Sequence, residues 1–120
     1  GRPGRQIAFA TSRWGEWELA VTDVEGKETR RLTESRGLDD YPAWSPDGKR
    51  LAFVSNRTGP RGIANYEVFV LDLATGTVRN VSEHSGLDQF PAWTPDGRLS
   101  WVSLRGGGHD IVVTDKPLGP

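Results

Sequence analysis

The sequence predicts an all-β chain built from repeated antiparallel sheets, and three observations support that fold class. The 120 residues include 15 Gly and 8 Pro, which favours many tight turns. The apolar runs are short and bounded by Gly or Pro, without the sustained 3.6-residue period of a helix. One segment also occurs twice, and self-similarity at a fixed spacing is typical of repeat architectures.

A twelve-residue segment defines the repeat. It reads GLDDYPAWSPDG over residues 37–48 and GLDQFPAWTPDG over residues 86–97, so the copies lie 49 residues apart. The run that follows also recurs, as RLAF at 50–53 and RLSW at 98–101. Such spacings are near the period of a four-stranded antiparallel β-propeller blade. We therefore predict a partial propeller of about two and a half to three blades, with repeat units of approximately 1–39, 40–88 and 89–120.

The same pattern predicts ten strands and no helix longer than one turn. Asp47-Gly48 and Asp96-Gly97 are typical hairpin turns, because such turns need a positive φ. If the strands of a blade are counted outward as inner, second, third and outer, the chain begins on a second strand and ends on a third. The predicted strands span approximately residues 6–12, 17–23, 28–33, 41–45, 50–56, 66–72, 77–82, 90–94, 98–104 and 109–115.

Composition and motifs argue against several classes of function. The net charge is -1 and no stretch is strongly basic, so nucleic-acid binding is not expected. The chain has no cysteine, which excludes disulfides, and no apolar run long enough to cross a membrane. No serine elbow, zinc-binding histidine spacing or phosphate-binding glycine loop occurs. We expect no catalytic residue, no cofactor and no enzyme activity. The absence of methionine predicts a processed chain or a piece of a larger one.

The repeated motif, D-x-φ-P-A-W-[ST]-P-D-G-[KR] (φ being an apolar residue), resembles the TolB-like (PD40-type) propeller repeat, which is itself WD40-like. The motif is present twice and its second half a third time, so the resemblance covers nearly the whole chain. The resemblance implies a non-enzymatic protein-interaction module in the periplasm or outside the cell. It also implies partners such as an envelope lipoprotein, since TolB-like propellers dock the peptidoglycan-associated lipoprotein.

A second interpretation starts from the same resemblance. PD40-type blades also occur in the tricorn protease and in prolyl-oligopeptidase-like hydrolases, where the propeller gates substrate access. The chain would then be the propeller segment of a larger hydrolase, and the catalytic domain would lie elsewhere. A serine elbow encoded beyond Pro120 would separate the two interpretations.

The candidate binding residues gather at one end of the blades. Strands alternate in direction, so the second-to-third loops share one end with the crossovers between blades, and function tends to lie in such long loops. Trp14 has no aromatic counterpart at Thr58 or Gly106, whereas Arg57 and Arg105 are repeat-equivalent and favour blade packing. The predicted partner-binding face comprises Arg13, Trp14, Trp17, Asp40, Arg57, Arg61, His84, Gln89, Arg105 and His109.

Other repeated positions admit more than one role. Asp39 and Asp88 are equivalent residues at the entry to the inner strands, where carboxylates could hold Ca²⁺ or accept local backbone hydrogen bonds. The local role is the favoured one. Trp44 and Trp93 are expected to pack between blades. Incomplete blades would leave apolar sheet faces open at both ends, which predicts a homodimer or association with further blades.

Overall fold

The computed structural model describes residues 6–15, 17–23, 25–26, 28–33, 39–56, 66–81, 87–105 and 108–114. All ten predicted strands are present, and no helix occurs in these ranges. The strands are β1 (Gln6–Thr11), β2 (Glu18–Asp23), β3 (Thr29–Arg31), β4 (Asp39–Trp44), β5 (Arg50–Ser55), β6 (Glu67–Asp72), β7 (Val78–Asn80), β8 (Leu87–Trp93), β9 (Leu99–Arg105) and β10 (Gly108–Val113).

The strands form three antiparallel sheets, which we call blades 1, 2 and 3. Blade 1 has the order β1-β2-β3, blade 2 is the four-stranded sheet β4-β5-β6-β7, and blade 3 has the order β8-β9-β10. Blade 1 therefore begins on a second strand and blade 3 ends on a third, as predicted. A complete blade lies between two three-stranded ones.

The inner strands begin earlier than the sequence predicted. β4 starts at Asp39 and β8 at Leu87, because residues ahead of the Pro-Ala-Trp motif already pair with the second strands. Each inner strand contains a register shift, between Asp40 and Ala43 in β4 and between Gln89 and Ala92 in β8. The bulge interrupts the pairing, and the strand resumes on either side of it.

The core lies between the blades, and blade 2 contributes to it on both faces. On β5, Leu51 and Phe53 pack toward Leu19 of blade 1. The alternating residues Ala52 and Val54 pack toward blade 3. Successive residues of a strand point to opposite faces, so a strand covered on both sides reads as a continuous apolar run. This explains why the RLAFV and EVFVL segments show no polar alternation.

The two motif tryptophans pack between blades, as predicted. Trp44 packs against the cluster between blades 1 and 2, and Trp93 against the cluster between blades 2 and 3. The indole N–H of Trp93 also donates a 2.9 Å hydrogen bond to the carbonyl of Ala43, which joins the inner strands β8 and β4. Both rings are half-buried rather than fully buried.

The outer faces of blades 1 and 3 are open. Ile111 of β10 is 77% exposed, although its repeat equivalent in blade 2, Val68, is fully buried. Ile7 of β1 is 49% exposed, and its equivalent Leu51 is fully buried. The residue types are apolar in both cases, so the difference comes from the missing neighbour. Positions that are buried in the core of blade 2 are therefore exposed to solvent on the outer faces of blades 1 and 3.

Replacing Trp93 tests the inter-blade core. We expect Trp93→Ala to lower the free energy of unfolding by about 3 kcal/mol, the lower end for emptying a large aromatic site, because the ring is half-buried. The matched control is Trp17→Ala, whose side chain is 48% exposed and should matter by less than about 0.5 kcal/mol. Urea unfolding followed by circular dichroism measures both, and equal midpoints would refute the inter-blade role.

Candidate functional site

Seven of the ten predicted binding residues lie in the described ranges, and these are placed at one end of the blades, which we call the loop end. It carries the turn between β1 and β2 and the starts of β4 and β8. Arg13, Trp14 and Trp17 lie in that turn, and Asp40 and Gln89 lie near the starts of the inner strands. Arg105 and His109 are placed at the end of β9 and the start of β10 by their backbone. Arg57, Arg61 and His84 lie outside the described residues.

Two guanidinium groups lie close to the ring of Trp14. The Arg31 guanidinium carbon lies 5.3 Å from the indole centroid, and that of Arg13 lies 5.5 Å from it. Both distances are within the range of a cation–π interaction. The turn is tight, because Gly15 adopts a φ of 112° and its N–H donates to the carbonyl of Ser12 at 2.9 Å. Trp14 is 36% exposed on this turn.

Arg31 is itself fixed by a buried carboxylate. Its Nε donates to Oε1 of Glu18 at 2.7 Å and to the carbonyl of Thr33 at 3.2 Å. Glu18 is 1% exposed and forms an ion pair with Arg31, and removing one partner of a buried ion pair is costly. Arg13, by contrast, is exposed and forms no ion pair within the described part of the chain. The turn therefore presents one guanidinium whose charge is not balanced by any carboxylate among the residues that the structure describes.

The blade 2 equivalent of this arrangement lacks the stacking. There Glu67 accepts a hydrogen bond from the side-chain amide of Asn80, at the positions of Glu18 and Arg31. Asparagine donates a hydrogen bond to the carboxylate there but carries no charge to stack on an indole. Arg31 and Trp14 thus depart from the repeat together, and the sequence analysis identified only Trp14.

Trp17 is also exposed although its repeat equivalent is buried. Its carbonyl accepts a 2.9 Å hydrogen bond from the N–H of Asp39, and the carbonyl of Tyr66 accepts from Asp88 in the same way. Tyr66 is 8% exposed and packs between blades 2 and 3, whereas Trp17 is 48% exposed. The hydrogen bond to Asp39 fixes the backbone of Trp17, while its exposed indole is available for contact.

Asp39 and Asp88 are buried inside the blades. Both have 0% exposure, and each faces a fully buried serine across the sheet, Ser55 and Ser103 respectively. Their backbone N–H groups donate hydrogen bonds to carbonyls of the preceding blade, those of Trp17 and Tyr66. The choice between a Ca²⁺-binding role and a local structural role for these carboxylates stays a prediction. In the described part of the chain, no three His, Cys, Asp or Glu side chains group as metal ligands.

Tyr41 and Phe90 are site residues that the sequence analysis did not select. They are exposed by 41% and 53%, and their rings meet edge to face with centroids 5.1 Å apart. Both adopt a positive φ, of 54° and 58°. A bulky residue rarely takes that conformation, so no sequence pattern indicates it. The available signal was an aromatic residue directly before proline in both motif copies.

At the opposite end, the two motif hairpins line a cleft of about 280 Å³. Hydrogen bonds from the Ser45 hydroxyl and the Lys49 N–H lower the pKa of Asp47 below its usual value. Hydrogen bonds from Thr94 and Arg98 lower the pKa of Asp96 in the same way. These carboxylates brace turns whose glycines, Gly48 and Gly97, have positive φ. The lining residues are Ser45, Pro46, Asp47, Arg50, Trp93, Pro95, Asp96 and Gly97.

Known proteins resemble about half of the chain in sequence. It is 45% identical over 56 residues to a protein named TolB homolog from Chlorobium chlorochromatii, which is 47% of this chain and 13% of that protein. It is 41% identical over 54 residues to the Tol-Pal system protein TolB of Bordetella pertussis, covering 45% of this chain and 12% of that protein. The chain therefore spans about an eighth of the length of these relatives. No protein-family model matches it.

The structural similarity is more extensive. A TolB structure from Agrobacterium tumefaciens superimposes with a TM-score of 0.73 at 23% identity, covering 90% of this chain and 40% of that one. At this identity the similarity establishes the fold, and it confirms the propeller blades. No helix in the described ranges is long and apolar enough to span a membrane.

Two substitutions of Arg31 separate its two contacts. We expect Arg31→Asn to retain most of the stability, because asparagine serves the equivalent carboxylate in blade 2. Arg31→Leu should cost about 2–3 kcal/mol, less than a fully buried pair because Arg31 is partly exposed, since leucine offers the buried Glu18 carboxylate no hydrogen-bond donor.

Both Arg31 variants should displace the Trp14 indole N–H resonance in a ¹H–¹⁵N spectrum by more than they displace Trp44 or Trp93. Chemical denaturation gives the stabilities. Equal stabilities for the two variants, or an unmoved Trp14 resonance, would contradict the arrangement.

Proposed function

We propose that this chain, a TolB-like β-propeller repeat protein, is a non-enzymatic protein-interaction module that binds its partner at the loop end. The observation that carries the proposal is the Trp14 indole, which has the Arg13 and Arg31 guanidiniums 5.5 and 5.3 Å from its ring centroid yet is 36% exposed. Tryptophan and arginine are the residues most often found to dominate binding energy at interfaces.

The arrangement supports binding in two ways. Trp14 is already restrained by Arg31 and Gly15, so little side-chain entropy is lost when a partner covers it. Trp17 adds a second exposed indole on the same turn. Neither exposed ring contributes to the two inter-blade clusters. The surface can therefore change without loss of the fold, as expected for a residue set that serves recognition.

The partner and location follow from the relatives. One relative is named as a Tol-Pal system protein, so we propose a periplasmic or extracellular site of action and an envelope-lipoprotein-like protein partner. The hydrolase alternative remains the second interpretation of the blades. The gene sequence beyond Pro120 tests it, since a serine elbow in an α/β-hydrolase segment would favour gating over docking.

The open faces add a further proposal, which is association with a second copy or with further blades. The exposed apolar residues Ile111, Val113 and Ile7 lie on the outer faces of blades 3 and 1. Two copies joined through these faces would give six blades, two of them complete and four three-stranded. A closed ring would cover both faces at once, and closed symmetric assemblies are the usual form of homo-oligomers.

Binding to a lipoprotein tests the proposed surface. The probe is the soluble domain of the Bordetella pertussis peptidoglycan-associated lipoprotein, titrated calorimetrically with the 120-residue chain. We expect Trp14→Ala to weaken binding at least tenfold, about 1.4 kcal/mol or more, as for an interface anchor. Pro95→Ala, an exposed change at the opposite end, is the control. No binding by the wild type, or unchanged binding by Trp14→Ala, would contradict the proposal.

A further inference from the structure

Two exposed aromatic rings meet between blades 2 and 3. Tyr41 lies on β4 and Phe90 on β8, the inner strands of neighbouring blades. The ring centroids are 5.1 Å apart and the planes are inclined at 64°. Neither ring belongs to an inter-blade cluster, and together they form an open aromatic corner.

The backbone is strained at both rings in the same way. Each residue has a positive φ and lies within the register shift of its strand. A non-glycine residue in this region is energetically unfavourable, and bulges re-aim side chains. Burial of the rings does not account for the strain, since 41% and 53% of the two residues remain exposed. The same device occurs in both blades, and in both it leaves an aromatic ring in solvent.

A carboxylate stands beside the corner. Oδ1 of Asp40 accepts a 2.8 Å hydrogen bond from the N–H of Tyr41, which fixes the carboxylate next to the ring. Burial raises the pKa of the nearby Tyr66, and the charge of Asp40 raises it further, so the field of this carboxylate reaches the same region. No cationic side chain is paired with Asp40 within the described ranges.

We propose that Tyr41, Phe90 and Asp40 form a binding corner for a cationic side chain, lysine or arginine, of a protein partner. The faces of aromatic rings attract cations within about 6 Å, and two inclined rings can contact one cation from two sides. Asp40 supplies the opposite charge. This inference rests on the proposed function only in that it assumes a protein partner, and it assigns that partner a basic residue at the inner strands.

The corner differs chemically from the Trp14 surface. There the indole is already flanked by two guanidiniums, so a further cation would be repelled. At Tyr41 and Phe90 no guanidinium stacking occurs within the described residues. The loop end thus has two positively charged guanidiniums around an indole at the β1–β2 turn, and a negatively charged carboxylate beside two aromatic rings at the inner strands. A partner that fits both would carry acidic and basic groups in a matching order.

The experiment uses two peptides that differ only in charge. One is a nine-residue peptide of alternating glycine and lysine, and the other is the same peptide with every lysine acetylated. Each is titrated into the ¹³C-labelled chain, and the aromatic resonances of Tyr41 and Phe90 are followed. We expect the lysine peptide to shift both sets of resonances and to bind at least tenfold more tightly than the acetylated peptide.

Variants locate the binding. Phe90→Leu keeps an apolar side chain at an exposed position, and Asp40→Asn keeps the shape of the carboxylate. Each should weaken the lysine peptide at least threefold, and Pro95→Ala should leave it unchanged. Equal binding of the two peptides, no binding at millimolar concentration, or wild-type affinity of Phe90→Leu would each overturn the inference. The lipoprotein titration with Trp14→Ala is separate, so the two proposals can fail independently.

Discussion

A propeller blade is a twisted sheet with two apolar faces, and each face needs a neighbouring blade to cover it. In this chain only blade 2 has neighbours on both sides. Phe53 and Leu71 pack toward blade 1, while Val54 and Val70 pack toward blade 3, and all four are buried. The packing of blade 2 on both neighbours sets the spacing of the strands and the alignment of the inner strands. It also leaves the outer faces of blades 1 and 3 open.

The loop end depends on the same frame. The N–H of Asp39 binds the carbonyl of Trp17, and the N–H of Asp88 binds that of Tyr66, so each inner strand is tied to the third strand of the preceding blade. These two hydrogen bonds fix the backbone of Trp17 and Tyr66, while the side chains at the two positions differ. Blade 1 uses this freedom for the stack of Trp14 on Arg31, where blade 2 instead has the uncharged side-chain amide of Asn80 donating to the Glu67 carboxylate.

The sequence predicted the features that local chemistry determines. Asp-Gly turns and short apolar runs located all ten strands, and the motif placed Trp44 and Trp93 between blades. It did not reveal contacts between residues that are distant in sequence, such as Trp14 and Arg31. It also could not show the positive φ of Tyr41, since that conformation is imposed by the bulge and not by residue preference.

The open faces provide the most direct test of this account. Ile111 is 77% exposed where its blade 2 equivalent is buried, so a polar residue there should remove an association surface without loss of the fold. Sedimentation at high micromolar concentration should give a mass above the 13.2 kDa of one chain for the wild type. Ile111→Asp should return it to the single-chain mass. A wild-type chain that sediments as a monomer at every concentration would contradict the account.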